Sequence, residues 1–134
     1  MKNIWVNGCF DIVHLGHIRL LNYAKSLGDF LIVGIDSDSR VRKNKGTNRP
    51  IYNQDFRKEF LSSLKPVDQV EIFYTDEQLE NLIQHHKINT MVVGDDYLPE
   101  QVIGSKFADK VNTFAKFSSF STTNLLDKCR YLNR

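Results

Sequence analysis

Five short runs of β-branched and aromatic residues, separated by stretches with helical spacing, constrain this 134-residue chain more than any other feature. The runs are Ile4–Val6, Phe30–Ile35, Gln69–Phe73, Thr90–Val93 and Val111–Phe114, each of strand length and composition. Between the first two, Ile18, Leu21, Tyr23, Ala24 and Leu27 put an apolar stripe on one helix face, with Gly28 as a stop. Phe56, Phe60, Leu61 and Leu64 mark a second helix ended by Pro66. Leu79, Leu82 and Ile83 mark a third behind a cap at Thr75 or Asp76, and a last helix is expected from Ser121 through Leu125, Leu126 and Cys129. Strands that alternate with helices need parallel crossovers, and a parallel sheet is covered on both faces. The expected architecture is α/β, with a five-stranded parallel sheet flanked by helices in a single domain over residues 1–134.

Composition narrows the partners. A chain that is 41% hydrophobic and 25% charged can bury a core, which argues against disorder. A net charge of +2 gives no general attraction to nucleic acid, although Arg40-Val41-Arg42-Lys43-Asn44-Lys45 is a local basic cluster. Cys9 and Cys129 lie near opposite ends and fit no disulfide framework, so they read as free thiols in a reducing compartment. The apolar run Ile4–Val6 is broken at once by Asn7 and Asp11, unlike a secretory leader. No apolar stretch reaches the length of a membrane span. These features predict a cytoplasmic protein that binds neither nucleic acid nor membrane.

Ligands of open parallel sheets bind beyond the carboxyl ends of the strands, where the strand order switches. The unusual polar residues fall there: Asn7 to His17 after the first strand, Asp36 to Lys45 after the second, Gly94-Asp95-Asp96 after the fourth. In Gly8-Cys9-Phe10-Asp11-Ile12-Val13-His14-Leu15-Gly16-His17, two histidines sit three residues apart at the start of a helix. Residues at that spacing share a helix face, beside unpaired backbone N–H groups and the positive end of the dipole. Gly16 lets a ligand approach the backbone. Dipole, N–H donors and two imidazoles together suit a phosphate. The plainer alternative is a pair of hydrogen-bonded histidines with a glycine for packing, but the placement behind a strand and ahead of an amphipathic helix favours the anion. Cys9, His14 and His17 could also ligate a metal. Three ligands on one turn rarely converge tetrahedrally, and no second Cys/His pair follows, so no protein-held metal is expected.

The same stretch resembles the HxGH signature of the cytidylyltransferase-like nucleotidyltransferases. Asn48-Arg49-Pro50-Ile51 followed by Arg57, then Gly94-Asp95-Asp96-Tyr97 and Ser121-Thr122-Thr123, fall in that family's order over nearly the whole chain. The resemblance implies a Rossmann-like fold of nucleotidyltransferase type. Two branches compete. Glycerol-3-phosphate cytidylyltransferases are similar in length and in Gly94-Asp95-Asp96. The adenylyltransferase domain of ADP-heptose synthases is more similar in Asn7-Gly8-Cys9-Phe10-Asp11, in Asn48-Arg49-Pro50, in Asp96 to Glu100 and in Gly104-Ser105-Lys106. Where the cytidylyl branch carries an arginine-threonine-glutamate-glycine run, this chain reads Lys116-Phe117-Ser118-Ser119, which favours ATP over CTP.

The resemblance implies transfer of a nucleotidyl group from a nucleoside triphosphate, ATP here, to a sugar phosphate such as a heptose 1-phosphate, with Mg²⁺ escorting the triphosphate. By the family pattern, His14, His17 and Lys45 are catalytic, with Lys45 reaching in from a basic loop after the second strand. Gly8, Phe10, Gly16, Arg57, Gly94, Asp96, Ser121, Thr122 and Thr123 bind the nucleotide, and Asp11 and Asp95 bind the acceptor. On sequence alone Arg40, Arg42 and Lys43 are equally solvated charge, Arg57 could be a helix-surface charge, and Ser121 to Thr123 could be ordinary helix caps. Gly46 suggests a basic loop that moves. Cys9 reads as packing, and His85-His86 as plain surface. A homodimer is expected. The reading from another class is a nucleotide-binding regulatory module without turnover.

Overall fold

A computed structural model of the chain describes residues 1–94, 101–115 and 126–129. Five strands form one parallel sheet: β1 (Asn3–Gly8), β2 (Phe30–Asp36), β3 (Gln69–Phe73), β4 (Thr90–Gly94) and β5 (Lys110–Phe114). Their order across the sheet is β3-β2-β1-β4-β5. The expected strands thus stand, four of the five lengthened by one to three residues. Four helices connect them: α1 (Leu15–Ser26), α2 (Asp38–Lys45), α3 (Gln54–Ser62) and α4 (Asp76–His85). A 3-10 turn at Ser105–Phe107 precedes β5. Of the expected last helix, 126–129 is helical, and its start at Ser121 lies outside the described residues.

Alternation along the strands builds two cores. Ile4 and Val6 of β1, with Leu31, Val33 and Ile35 of β2, face Leu21 and Ala24 of α1 and Leu61 of α3. Trp5 and Ile32 point the other way, to Phe73, Met91 and the α4 residues Leu79 and Ile83. Both faces of the central strands are therefore apolar, as their unbroken hydrophobic runs require. Trp5 is wholly buried, and an aromatic of that size contributes about 3–5 kcal/mol when truncation leaves a cavity.

Gly28 has a different reason from the expected helix stop. It is not in a left-handed conformation. A Cβ there would stand 2.7 Å from the Ile4 side chain and 2.8 Å from the Lys2 carbonyl, so the glycine lets the α1–β2 connection cross close over β1. The second expected helix ends at Ser62, short of Pro66.

The larger departure is α2. Residues 38–45 were expected as a basic loop and form a helix. Only Val41 is buried on it, so it has no apolar stripe for periodicity to reveal. Its ends carry the signal instead. The Ser37 hydroxyl caps the Arg40 N–H, Asp38 sits in the first turn, and Arg42, Lys43 and Lys45 sit in the last, which matches the dipole at both ends. Gly46 closes the helix at φ +99°, a backbone conformation that a side chain would strain.

The strand ladder also opens the site. β1 pairs with β2 over six residues, from Asn3 to Gly8. With β4 it pairs only at Ile4 and Trp5. Beyond Trp5 the two strands part at their carboxyl ends, where the chain order switches. The crevice of this α/β sheet follows from that splay.

Candidate active site

A cavity of about 540 Å³ occupies the splay between β1 and β4. Its floor is Val6 to Phe10 on one side and Val92 to Gly94 on the other. His17 and Leu20 of α1, Asp36 at the end of β2, and Arg40, Asn44 and Lys45 of α2 form one wall. Leu79 and Gln101 to Ile103 complete the other.

At the first turn of α1 the two histidines cap the helix. The Gly16 N–H donates to Nδ1 of His14 at 3.1 Å, and the His14 N–H donates to Nδ1 of His17 at 3.1 Å. This is the reciprocal geometry of a capping box, made by two imidazoles in place of a hydroxyl and a carboxylate. The rings stack, with centroids 3.9 Å apart, and Phe10 packs against His17 at 5.2 Å. Each Nδ1 accepts a backbone N–H, so a neutral ring carries its proton on Nε2 as a donor. Burial pushes the His14 imidazole below its ordinary pKa, which keeps it neutral at neutral pH. The first turn of α1 contains no acidic residue, whereas those of α2, α3 and α4 carry Asp38, Asp55, and Asp76 with Glu77. No side chain of its own first turn therefore offsets the positive end of the α1 dipole.

The turn leading into α1 is strained. Phe10 and Ile12 have φ of +51° and +58°, unusual for any residue with a Cβ and most costly for a β-branched one. Such strain is of order 1–3 kcal/mol per residue and persists where the surroundings enforce it. Asp11 does the enforcing. Its carboxylate is buried and accepts from Arg49 Nε at 2.9 Å, the Ile51 N–H at 2.7 Å and the Tyr52 N–H at 3.0 Å. These bonds tie the turn to the 49–52 segment, and Asp11 as a whole is 1% exposed; its expected contact with the acceptor is kept as a proposal.

Arg57 is tied into the protein in a similar way, and its expected nucleotide contact is kept as a proposal. It is neither helix-surface charge nor a cation on the cavity wall, being 1% exposed. Nε donates to the Tyr52 carbonyl, Nη1 to the carbonyls of Cys9 and Asp36, and Nη2 to Asp38 Oδ1 at 2.8 Å. Four of its five N–H groups are held by the protein. One guanidinium joins the β1 turn, the end of β2, the start of α2 and the 52–57 segment. It holds the site together without facing it.

The cavity brings together Gly8, Phe10, His17, Lys45 and Gly94, with Gly16 and His14 one helical step behind His17. Lys45 enters from the last turn of a helix, not from a loop. Asp95, Asp96, Ser121, Thr122 and Thr123 lie outside the described residues. Cys9, expected as packing, lines the cavity, and burial raises its thiol pKa against the opposing pull of Lys45 and Arg57. Sequence reasoning left Asp36, Arg40 and Asn44 out of the site. Arg40 and Asn44, four residues apart, would have been placed on one face had α2 been recognised, with Asp36 at the end of β2 just ahead of it.

A three-layer sheet that opens at its switch point onto a doubly histidine-capped helix defines a nucleotidyltransferase-type domain. The chain belongs to the cytidylyltransferase-like family, whose model matches residues 5–126. Among its relatives, the bifunctional protein HldE of Campylobacter fetus is 43% identical over 127 residues, 95% of this chain and 28% of that protein. HldE of Helicobacter pylori is 42% identical over 129 residues, again 28% of the relative's length. The chain thus spans little more than a quarter of these curated relatives. A crystal structure of a lipopolysaccharide core biosynthesis protein from Thermoplasma volcanium superposes with a TM-score of 0.75 at 31% identity, covering 88% of this chain and 99% of that one. Among the described residues, no helix is long and apolar enough to cross a membrane.

Proposed function

We propose that the chain transfers the adenylyl group of ATP to a sugar 1-phosphate, a heptose 1-phosphate by preference, and releases pyrophosphate. The observation that carries this reading is the pair of imidazoles whose Nδ1 atoms cap α1, leaving the proton of each neutral ring on Nε2, at a helix start with no acid in its first turn. An acceptor phosphate oxygen forms a bond to the α-phosphorus as the bond to the pyrophosphate oxygen breaks. The nucleophile needs no general base, because a phosphate monoester with a second pKa of about 6 is already largely dianionic at neutral pH. The demand falls on positioning and on charge gathering at the α-phosphate and the leaving group. His14 and His17 would donate to that charge and Lys45 would offset it. Gly8, Gly16 and Gly94 would admit the nucleotide close to backbone, beside Phe10. Asp96, Ser121, Thr122 and Thr123 are kept as proposed nucleotide contacts, and Asp95 as a proposed acceptor contact.

Mg²⁺ fits as a passenger of the triphosphate. Among the described residues no three His, Cys, Asp or Glu side chains converge on a cage, and the described cavity wall offers one carboxylate, Asp36, already bonded to Arg40. Mg²⁺ commonly keeps several waters and binds mainly through substrate phosphates. When bound there it would offset phosphate charge.

The relatives named HldE and the Thermoplasma protein titled for lipopolysaccharide core biosynthesis support a sugar acceptor. A homodimer is proposed too, since Ile51, Tyr52, Phe56 and Phe60 are exposed within ten residues of one another. Light scattering that finds only a monomer at micromolar concentration removes it.

The test of the reaction is pyrophosphate release, with four nucleoside triphosphates against heptose 1-phosphate, other sugar 1-phosphates and glycerol 3-phosphate. ATP should exceed CTP by about tenfold or more, the ratio that ~1.4 kcal/mol of differential binding gives. A preference for CTP with glycerol 3-phosphate replaces the substrate pair. No release from any combination, with nucleotide still bound, leaves a binding module.

A further inference from the structure

The cavity has two unlike walls. Toward β4 it is apolar, with Val92, Val93, Val102 and Ile103. Toward β2 it is polar, with Asp36, Arg40 and Asn44 in a row. Arg40 is held rigidly there. Its Nε donates to Asp36 Oδ1 at 2.9 Å, its Nη1 to Asp76 Oδ1 at 3.1 Å, and its guanidinium lies 5.0 Å from the centre of the Phe73 ring. The clasp spans the end of β2, the first turn of α2 and the first residue of α4. Nη2 makes no hydrogen bond to any described residue.

The charge of this group decides what it can recognise. One guanidinium between two carboxylates has a formal charge of −1, so it is a poor receptor for a phosphate dianion. It still presents directed N–H donors, a carboxylate acceptor and, one helical turn on at Asn44, an amide that both donates and accepts. Neutral hydroxyl groups match that combination. Phosphate is better served across the cavity by the α1 N-terminus, the two imidazoles and Lys45.

We propose that Asp36, Arg40 and Asn44 read the hydroxyl groups of the acceptor, making Arg40 a specificity-determining residue. Asp76, absent from the described lining, is a positioning residue that holds the guanidinium. The proposal rests on the sugar-phosphate reading of the site and adds to it the surface that selects the sugar.

The test is steady-state pyrophosphate release by the wild-type chain and by Arg40→Ala, Asn44→Ala and Asp76→Asn, with ATP and with heptose 1-phosphate or glycerol 3-phosphate as acceptor. Loss of hydrogen bonds to a charged group should raise the heptose 1-phosphate KM of Arg40→Ala by about tenfold or more, with the ATP KM within about twofold. Glycerol 3-phosphate, with few hydroxyls to read, should lose much less. Asn44→Ala, at an exposed position, should show the same acceptor-selective pattern more weakly, and Asp76→Asn should raise the acceptor KM without altering that of ATP. An equal loss on both acceptors, or a raised ATP KM with the acceptor KM unmoved, overturns the proposal and leaves the reaction standing. A wild-type chain that uses no sugar phosphate at all overturns the reaction, and the proposal with it.

Discussion

The helices α1 and α2 each follow a central strand at its carboxyl end, yet their N-termini are built for opposite purposes. At α2, Ser37 caps, Asp38 offsets the dipole, and Arg57 closes over that carboxylate. The Asp38 and Arg40 N–H groups and the Asp38 carboxylate at that end are each partnered within the chain. At α1 the capping groups are imidazoles, no acid follows, and the preceding turn holds two residues at positive φ. The first arrangement is stable in itself. The second is capped by two imidazoles and has no acid in its first turn. A helix start is thus a site or a strut according to which side chains satisfy it.

Removing the strut should have the largest effect. Arg57→Ala strands the carbonyls of Cys9, Asp36 and Tyr52 and the carboxylate of Asp38. Loss of one partner from a buried ionic cluster typically costs about 3–5 kcal/mol. For a domain of this size the melting temperature should fall by roughly 10 °C or more. Calorimetry that finds it within a degree or two of wild type would show that the α2 end needs no such tie.

At α1 the expected signature is reversed, with activity lost and stability nearly kept. His17→Ala should lower kcat by about a hundredfold or more, as loss of a transition-state donor does, while nucleotide binding weakens far less. Near wild-type turnover would remove the catalytic reading of the HxGH turn. The acid limb gives a second check. Protonating His14 at Nδ1 breaks its bond from the Gly16 N–H. Burial lowers the folded-state pKa, so the unfolded chain binds protons first as pH falls. Both the cap and the turnover should be intact above about pH 6.5 and lost progressively below it. A rate that falls already above neutrality contradicts the assignment.

The same contrast explains what was legible in the sequence. The five strands and α1, α3 and α4 announce themselves through apolar runs and stripes, because each buries a face. The HxGH turn is legible because two histidines around a glycine are rare at a strand end. α2 buries one residue, so its helix is written only in its caps, and with it went Arg40 and Asn44. The structural ties of Asp11 and Arg57 were missed for a related reason. A charged residue in a motif looks the same whether it meets a ligand or a backbone carbonyl. Only burial and a complete set of partners separate the two, and these depend on segments 40 and 48 residues away in the chain.

The smallest effect draws the comparison most finely. Ser37→Ala removes the hydroxyl that receives the Arg40 N–H at 3.3 Å, a long bond and so a modest one. A lost cap of this kind costs typically about 1 kcal/mol, or about 3 °C in melting temperature. Since Asp38 and its bond to Arg57 remain, α2 should stay in place and Lys45 with it, so kcat and the ATP KM should be unchanged. The matching substitution at the other helix, His14→Ala, removes the cap and a proposed Nε2–H donor together, and should lower kcat sharply for a similar change in melting temperature. Measured side by side, the pair separates capping from catalysis. If Ser37→Ala also slowed turnover tenfold, the order of α2 itself would limit the reaction, and its N-terminus could no longer be described as a strut.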